Sequence, residues 1–278
     1  MNIPPNSSLL VDGNAYMYRF FYGREPRYNH EGRATHVVYN FMSFARRLVQ
    51  FQKPRRLVFV FDAPGDNFRH ELYSDYKSHR DPMPDELRHQ IDDIKQAIRL
   101  LGIPLIEMPD VEADDAIASL STLLSALDER VFIYSLDKDL LQLVNDKVHM
   151  VNDRKGIVMD GDFVMDKYGI EPHRIVELLA LTGDEADNIP GVAGIGQVTA
   201  AKLINQWGDI ENIITNAHWV KGVVGNKLRK GTEDLRLSLK LTKLKEDLFS
   251  EEILPHIEFV PEDKASIHTF CKQMGFIE

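Results

Sequence analysis

Three short apolar runs in this sequence each end at an aspartate, namely Asp12, Asp62 and Asp137. Each run is continuous rather than alternating, which is typical of strands that are covered on both faces. In open parallel sheets, ligands bind outside the carboxyl ends of the strands, so the fold would bring these acids together. One aspartate after a strand often serves only as a turn or cap residue, but three of them favour a shared site.

Six further acids lie at short spacings. Glu112 and Asp115 are three residues apart at the start of a predicted helix and so share one of its faces, although acids there also favour the helix dipole. Asp137 and Asp139 would point the same way on an extended segment. Asp184 and Asp187 are again three residues apart. The candidate site therefore has nine carboxylates: Asp12, Asp62, Glu112, Asp114, Asp115, Asp137, Asp139, Asp184 and Asp187.

Nine like charges in one dry site require compensation, because repulsion and burial would otherwise force several carboxyls to take up protons. Oxygen ligands without Cys or His favour hard divalent cations such as Mg²⁺ or Mn²⁺. Two such ions about 4 Å apart would hold the attacking and leaving oxygens of a phosphodiester. The pattern therefore predicts a two-ion site for phosphodiester chemistry.

The charge balance is compatible with a site of this kind. The formal net charge is −10, which alone would argue against a nucleic-acid partner because phosphates are neutralised by Lys and Arg. Nine of the acids belong to the candidate site, however, so the rest of the chain is nearly neutral.

Length and composition exclude several classes of protein. A chain of 278 residues with 44% apolar and 27% charged residues has room for one large or two small domains and is not disordered, collagen-like or coiled-coil. No apolar run approaches the roughly 20 residues of a membrane span, and the first eight residues do not resemble a secretory signal. The single cysteine, Cys271, excludes a disulfide framework and a thiolate zinc site. We therefore expect a cytoplasmic protein with no membrane partner.

Helical patterns separate the predicted strands. Apolar residues recur every three or four positions over 87–101 and again over 113–127. Strands that alternate with helices predict an α/β fold with a mostly parallel central sheet flanked by helices. Beyond about Asp162 we expect only helices and turns, and hence an α/β core over 1–165 and a helical region over 166–278.

A basic and aromatic segment closely follows Asp62. If residues 68–80 are helical, five side chains share one face: Arg69, Tyr73, Tyr76, Lys77 and Arg80. Such a face suits a phosphate chain whose bases stack on the rings, although an ordinary solvated helix surface has the same pattern. The position directly after the Asp62 strand favours the first interpretation.

A glycine-rich turn at 189–196 precedes a second amphipathic helix. Such a turn presents free backbone N–H groups to phosphate, although a tight turn between helices is the simpler alternative. The order Ile-Pro-Gly-Val-Ala-Gly-Ile-Gly followed by Thr-Ala-Ala-Lys-Leu is more specific than glycines alone, and it looks like a helix-hairpin-helix. We expect this motif to bind the DNA backbone through Gly191, Gly194, Gly196 and Lys202.

In their order along the chain, these motifs resemble those of the 5′-nuclease family, which includes flap endonucleases and the N-terminal 5′-nuclease domain of bacterial DNA polymerase I. The matching blocks are Leu-Leu-Val-Asp-Gly (9–13), Val-Phe-Asp (60–62), Phe-Arg-His-Glu to Tyr-Lys-x-x-Arg (68–80), Glu-Ala-Asp-Asp (112–115), Asp-Lys-Asp-Leu (137–140) and Leu-Thr-Gly-Asp-Glu to Gly-Ile-Gly (181–196). Ser135-Leu136 departs from the Thr-Ala usual in the family, and we expect a change in packing there. No polymerase domain follows, so a free-standing nuclease and a fragment are both compatible with the motifs.

The resemblance implies a structure-specific 5′-nuclease for DNA replication and repair. Such enzymes hydrolyse DNA near a junction of duplex with a 5′ single strand or flap and leave 5′-phosphate and 3′-hydroxyl ends. One divalent ion would lie close to Asp12 and among Asp62, Glu112, Asp114 and Asp115. The other would lie among Asp137, Asp139, Asp184 and Asp187. A water molecule whose pKa the ion lowers would be the nucleophile.

The resemblance also implies roles for the basic segment and the hairpin. Residues 66–90 would form a helical arch in which Lys77 and Arg80 neutralise the scissile phosphate and Tyr76 stacks on a base. The hairpin would hold the downstream duplex and bind K⁺ through the backbone carbonyls of Leu181, Thr182, Pro190, Val192 and Ile195. Nothing in the sequence suggests more than a monomer.

Two other functions remain open from the sequence. A ribonuclease of the related small nuclease fold would need neither the arch nor the hairpin, which counts against it. A paralogue that binds branched DNA without cleaving it would be expected to lose acids of the second ion site, and all four are present.

Overall fold

The computed structural model describes residues 3–277. Its six strands are β1 (Ser8–Asp12), β2 (Arg56–Asn67), β3 (Leu105–Asp110), β4 (Val131–Tyr134), β5 (Val148–Asn152) and β6 (Ile157–Met159). They form one sheet in the order β3-β2-β1-β4-β5-β6, in which every neighbouring pair is parallel except β5 with β6. The predicted α/β fold with a mostly parallel sheet is therefore confirmed.

Helices account for most of the remaining described chain. The α-helices are α1 (Gly13–Tyr22), α2 (His36–Arg47), α3 (Phe68–Leu72), α4 (Asp85–Arg88), α5 (Ile91–Leu100), α6 (Ala113–Ala126), α7 (Gly161–Tyr168), α8 (Ile175–Thr182), α9 (Gln197–Trp207), α10 (Ile210–Asn216), α11 (Gly222–Lys230), α12 (Thr232–Thr242) and α13 (Lys264–Gln273). A π-helical turn, Leu48–Gln52, extends α2, and 3₁₀ helices span Lys138–Leu143, Pro172–Arg174 and Glu251–Ile257. Within residues 3–277, no helix combines the length and apolarity needed to cross a bilayer.

Both faces of the sheet are covered, as the continuous apolar runs predicted. Leu10 and Val58 belong to an apolar core that continues into α6, α8, α9 and α12. Leu9 and Leu57 point to the other face, where α1, α2, α5 and α13 complete a second core. The last helix therefore returns from the C-terminal half to pack beside the sheet.

The sequence predicted only β1, β2 and β4, and it missed the other three strands. β3 contains a proline and no fully buried residue, and β6 is three residues long. Both are edge strands, whose alternation and length differ from those of the buried runs. Among the described residues, no strand follows β6, as predicted for the chain beyond Asp162.

The predicted helix over 68–80 is wrong beyond Leu72. α3 ends there because Tyr73 adopts an extended conformation (φ −152°), and Lys77 has a positive φ of 56°. The backbone N–H of Lys77 instead donates to the carbonyl of Asp187 at 3.0 Å. Contacts with a distant loop thus outweigh the local helical pattern, and 66–90 is two short helices joined by turns.

The sheet order places a crevice at the carboxyl ends of β1 and β4. The chain leaves β1 towards β2 on one side, and β4 pairs with β1 on the other, so strand order reverses at this point. Asp12 ends β1, and Asp137 follows β4 as the N-cap of a 3₁₀ helix. β2 runs past Asp62, but its regular pairing with β3 is interrupted between Asp62 and Asn67.

Candidate active site

Asp12 is held in place by the first turn of α1 and by the residue that follows β4. It caps α1 by accepting the backbone N–H of Ala15 at 2.9 Å, and the Ser135 hydroxyl donates to its other oxygen at 2.7 Å. Burial raises the pKa of Asp12 to about 6, with a smaller contribution from Asp137 and Asp62 and an opposing one from these hydrogen bonds. Ser135 was expected to affect only packing, but its hydroxyl contacts a site carboxylate.

Asn14 fixes Asp62 from the first turn of α1. Its side-chain amide donates to an Asp62 oxygen and accepts the Asp62 backbone N–H at 3.2 Å. The other carboxylate oxygen of Asp62 accepts the backbone N–H of Ala113 at 2.7 Å. The sequence analysis missed Asn14, although its place two residues after Asp12 could have indicated a position beside the site.

Glu112 receives three hydrogen bonds at the start of α6, from Tyr76 at 3.0 Å, Asn67 at 3.1 Å and Lys77. Burial alone would raise its pKa, but Lys77 and Arg69 outweigh that effect and hold the pKa of Glu112 below its ordinary value. Glu112 is therefore ionised and already neutralised by cations of the protein.

The carboxylates nearest the crevice have no such compensation. Burial, followed by repulsion from Asp137 and Asp12, raises the pKa of Asp114 well above its ordinary value. Burial and then Asp137 raise the pKa of Asp139 to about 8. One oxygen of Asp139, Oδ1, is buried and has no hydrogen-bond partner within residues 3–277. The ionised forms of these groups are therefore unfavourable without a further positive charge at the site.

Asp139 also differs from the prediction in its backbone. It lies in the first turn of the 3₁₀ helix, where its N–H donates to the Asp137 carboxylate at 2.9 Å. The segment is therefore not extended. Asp137 and Asp139 are brought to the same crevice by a cap rather than by strand alternation.

The last two acids follow α8 and are paired with basic side chains. Lys138 Nζ lies 2.6 Å from Asp184 Oδ2, and this contact outweighs burial and lowers the pKa of Asp184. Arg80 pairs with Asp187, and Lys77 Nζ lies 3.9 Å from the same carboxylate. Three cations of this chain thus occupy the acidic site.

Asp115 and Arg69 do not have their predicted roles. Both are almost completely buried, and the guanidinium donates to the two carboxylate oxygens at 2.6 and 2.9 Å. Asp115 also accepts the backbone N–H groups of Glu112 and Lys245, at 3.1 and 3.0 Å. With all these bonds made internally, Asp115 is not placed as a metal ligand and Arg69 is not placed to contact DNA.

The two tyrosines of the basic segment face inwards. Tyr76 is 3% exposed and packs in a small apolar cluster with Ile189 and Leu241, against which Tyr73 is half-buried. Because its hydroxyl binds Glu112, the Tyr76 ring is not available to stack on a base in this arrangement, which corrects that prediction. Arg80 remains half exposed.

A cavity of about 650 Å³ opens beside the acids. Its lining combines carboxylates and cations, including Asp12, Asp62, Asp114 and Lys77, with apolar side chains, including Met17, Tyr18, Phe61, Met83 and Ile91. A mixed cavity of this size is usual for a small-ligand or nucleotide site.

The donor chemistry fits divalent cations, although the acids are not arranged as a ready ligand set. Across the described residues, no three His, Cys, Asp or Glu side chains converge closely enough to hold an ion as they stand. The raised pKa values of Asp12, Asp114 and Asp139 and the unpartnered Asp139 oxygen nevertheless fit a site that ionises when hard cations with oxygen ligands bind.

The hairpin joins the acids to α9. Gly191 has a positive φ of 59°, and a Cβ there would lie 2.4 Å from the Gly183 nitrogen, so only glycine permits this approach. Gly194 also has a positive φ, Gly196 is the N-cap of α9, and Lys202 is exposed on that helix. Of the five carbonyls expected to bind K⁺, those of Leu181 and Val192 each accept a backbone N–H within the hairpin. Those of Thr182, Pro190 and Ile195 accept no backbone N–H from the part of the chain that the structure describes.

Two family models match the chain. The model described as "5′-3′ exonuclease, N-terminal resolvase-like domain" covers residues 7–169, and the one described as "5′-3′ exonuclease, C-terminal SAM fold" covers 170–265. A 5′-3′ exonuclease of Aquifex aeolicus is 42% identical over 248 residues, which is 88% of this chain and 85% of that protein. The thermostable DNA polymerase I of Thermus thermophilus is 37% identical over 98% of this chain, which spans 32% of the polymerase.

Solved structures share the fold. The bacteriophage T5 5′-exonuclease with bound zinc superposes with a TM-score of 0.72 at 22% identity, covering 97% of this chain and 98% of that one. The catalytic core of Rad2 in complex with DNA substrate gives a TM-score of 0.63 at 17% identity, covering 98% and 88% of the two chains.

Proposed function

Because this chain belongs to the 5′-3′ exonuclease family, we propose that it hydrolyses DNA phosphodiesters beside a junction of duplex with a 5′ single strand or flap. It leaves 5′-phosphate and 3′-hydroxyl ends and acts in DNA replication and repair, as a cytoplasmic monomer. The observation that supports this most is that five carboxylates, those of Asp12, Asp62, Glu112, Asp114 and Asp137, line one cavity. Three more, those of Asp139, Asp184 and Asp187, lie close enough to Asp137 to interact with it electrostatically.

The eight acids would hold two divalent ions, and Mg²⁺ is the one we propose, with Mn²⁺ as a substitute. The first would lie near Asp12, Asp62, Glu112 and Asp114, and the second near Asp137, Asp139, Asp184 and Asp187. Ions bound there would lower the pKa of a water molecule and stabilise the charge that develops on the phosphate. The protein contributes orientation, because Ser135 and Asn14 fix the oxygens of Asp12 and Asp62.

Lys77 and Arg80 hold the scissile phosphate once divalent ions bind Glu112 and Asp187, the carboxylates with which the two side chains now pair. Their contacts with Glu112 and Asp187 place both at the edge of the acidic site. Fixed positive charge next to a phosphate stabilises the additional negative charge of the transition state. Lys77 is the more buried of the two and is therefore the better placed for this role.

The region over 166–278 holds the duplex and supplies Asp184 and Asp187 to the site, and the core over 1–165 supplies the other acids for the hydrolysis. The hairpin glycines Gly191, Gly194 and Gly196 let the backbone approach a DNA strand closely, and Lys202 adds charge on α9. A potassium ion at the hairpin carbonyls is part of this proposal, as is the recognition of a 5′ flap.

The direct test is cleavage of a 5′-flap DNA labelled at its 5′ end, with Mg²⁺ or with EDTA. Metal-dependent release of a short oligonucleotide from the junction, with little cleavage of single strand or blunt duplex, is expected. Asp114→Asn should abolish cleavage and leave binding intact, whereas Asp162→Asn, which changes an exposed acid of α7, should alter neither. Tight binding to the junction without cleavage in Mg²⁺ or Mn²⁺ would refute the proposal.

A further inference from the structure

A basic surface lies on α11, beyond the hairpin. Residues 212–232 contain no acid and four basic residues, Lys221, Lys227, Arg229 and Lys230, in a chain whose net charge is −10. Lys227 and Lys230 are three apart on α11 and so share one face with Val223. Such a local reversal of the overall charge is the electrostatic pattern of a nucleic-acid contact.

The α11 surface is continuous with the hairpin. A Cβ at Gly194 would lie 2.1 Å from Lys227 Nζ, and a Cβ at Gly231 would lie 3.3 Å from Val192 Cγ1. The amine of Lys227 therefore rests on the hairpin turn, and the end of α11 packs against the hairpin itself. A DNA strand that follows the hairpin backbone must pass this amine.

The two lysines have no competing internal partner. Within residues 3–277, neither Lys227 nor Lys230 takes part in an ion pair, whereas Arg229 is engaged with the Ala217 carbonyl at 2.6 Å. Unpaired ammonium groups on a rigid helix can replace the counterions of DNA phosphates without first breaking a salt bridge.

Exposed apolar side chains lie in the first turn of α9, just before α11 and on α11 itself. Val198, Trp219 and Val223 are 70%, 70% and 68% exposed, which makes them three of the five most exposed large apolar residues within the described chain. Exposed aromatic and aliphatic groups beside lysines suit the sugars and bases of DNA. A small acidic ligand would be bound by the lysine charges alone, so the exposed apolar groups favour DNA as the partner.

We propose that α11, through Lys227 and Lys230, forms a second contact with the phosphates of the downstream duplex, next to the contact made by the hairpin. This inference rests on the proposed function and extends its DNA interface from the hairpin to α11. The partner is duplex DNA, recognised by its backbone and without sequence preference.

The test measures affinity for a flap DNA with a long downstream duplex, by fluorescence anisotropy in Ca²⁺, over 50–200 mM salt. Two lost phosphate contacts lower the slope of log K against log[salt] by about 1.8, since each contributes about 0.9. The Kd of the double variant Lys227→Ala/Lys230→Ala should therefore change about 12-fold less over this range than that of the unaltered chain. Lys227→Arg/Lys230→Arg should restore the original slope.

The matched control is Lys264→Ala/Lys272→Ala. These exposed lysines lie on α13, which packs against the opposite face of the sheet from α11. The control should keep both the salt slope and the cleavage rate. An unchanged slope in the α11 variant, or an equal loss in the control, would overturn the inference. Failure of the proposed function would instead appear as an unaltered chain that does not cleave flap DNA in Mg²⁺.

Discussion

Replacing Asp115 by Asn distinguishes a structural carboxylate from a metal ligand. Asp115 accepts two hydrogen bonds from Arg69, at 2.6 and 2.9 Å, and two from backbone N–H groups. Asparagine keeps the shape but removes the hydrogen-bonded counter-charge of the buried guanidinium, which is then left with only the Glu112 carboxylate, 3.4 Å from its Nη1 atom. Breaking one side of a buried ion pair costs about 3–5 kcal/mol, which corresponds to a fall in Tm of at least about 6 °C for a chain of this size.

The assay is unfolding in EDTA together with Mn²⁺ binding to the folded protein. In EDTA, the free energy of unfolding of Asp115→Asn should be lower than that of the unaltered chain by the full amount of about 3–5 kcal/mol. The variant should still bind the same number of Mn²⁺ ions. Asp139→Asn is the contrasting variant, because burial raises the pKa of Asp139 to about 8 and its charge is unfavourable without metal. It should be at least as stable as the unaltered chain in EDTA and should bind Mn²⁺ more weakly.

A double variant, Arg69→Met/Asp115→Leu, checks that the loss comes from the ion pair. It should lose less stability than the two single variants together, because no charge is left unpaired. The reasoning is refuted if Asp115→Asn unfolds like the unaltered chain in EDTA and binds one ion fewer.

Three further predictions concern the site. Lys77→Ala should slow single-turnover flap cleavage by about 10²–10³-fold with a much smaller change in Kd, and equal losses in both would contradict its role at the phosphate. The folded-state pKa values of Asp12 and Asp139 are raised, to about 6 and about 8, so their contribution to metal-free stability is greatest below about pH 4 and is lost as the pH rises towards 8. Mg²⁺ should therefore raise Tm more at pH 8 than at pH 5.5, and an equal rise in differential scanning fluorimetry would count against unbalanced carboxylates. Ser135→Ala removes a bond that lowers the pKa of Asp12, so the pH–rate profile of cleavage should move to higher pH, whereas Ser135→Thr should leave it in place.

The sheet and its acids could be predicted because the signals are local. Continuous apolar runs define β1, β2 and β4, and parallel pairing then brings Asp12, Asp62 and Asp137 to one edge whatever the rest of the chain does. The edge strands were missed because half-buried residues and short length give no comparable pattern.

The contacts of the basic segment could not be predicted, because they depend on residues far away in the chain. Arg69 reaches Asp115 and also the Leu241 carbonyl, 172 residues away, and Tyr76 reaches Glu112. From the sequence, these side chains look the same as an exposed basic face. Only the docking of 73–80 onto the loop at 187–189 decides which of them are buried.

The most direct test of the central claim is anomalous diffraction from crystals grown with Mn²⁺. The account predicts two manganese peaks, one beside Asp12, Asp62, Glu112 and Asp114 and one beside Asp137, Asp139, Asp184 and Asp187, with Asp115 still bound to Arg69. Peaks outside the crevice at β1 and β4, or a manganese ion bound by Asp115, would contradict it.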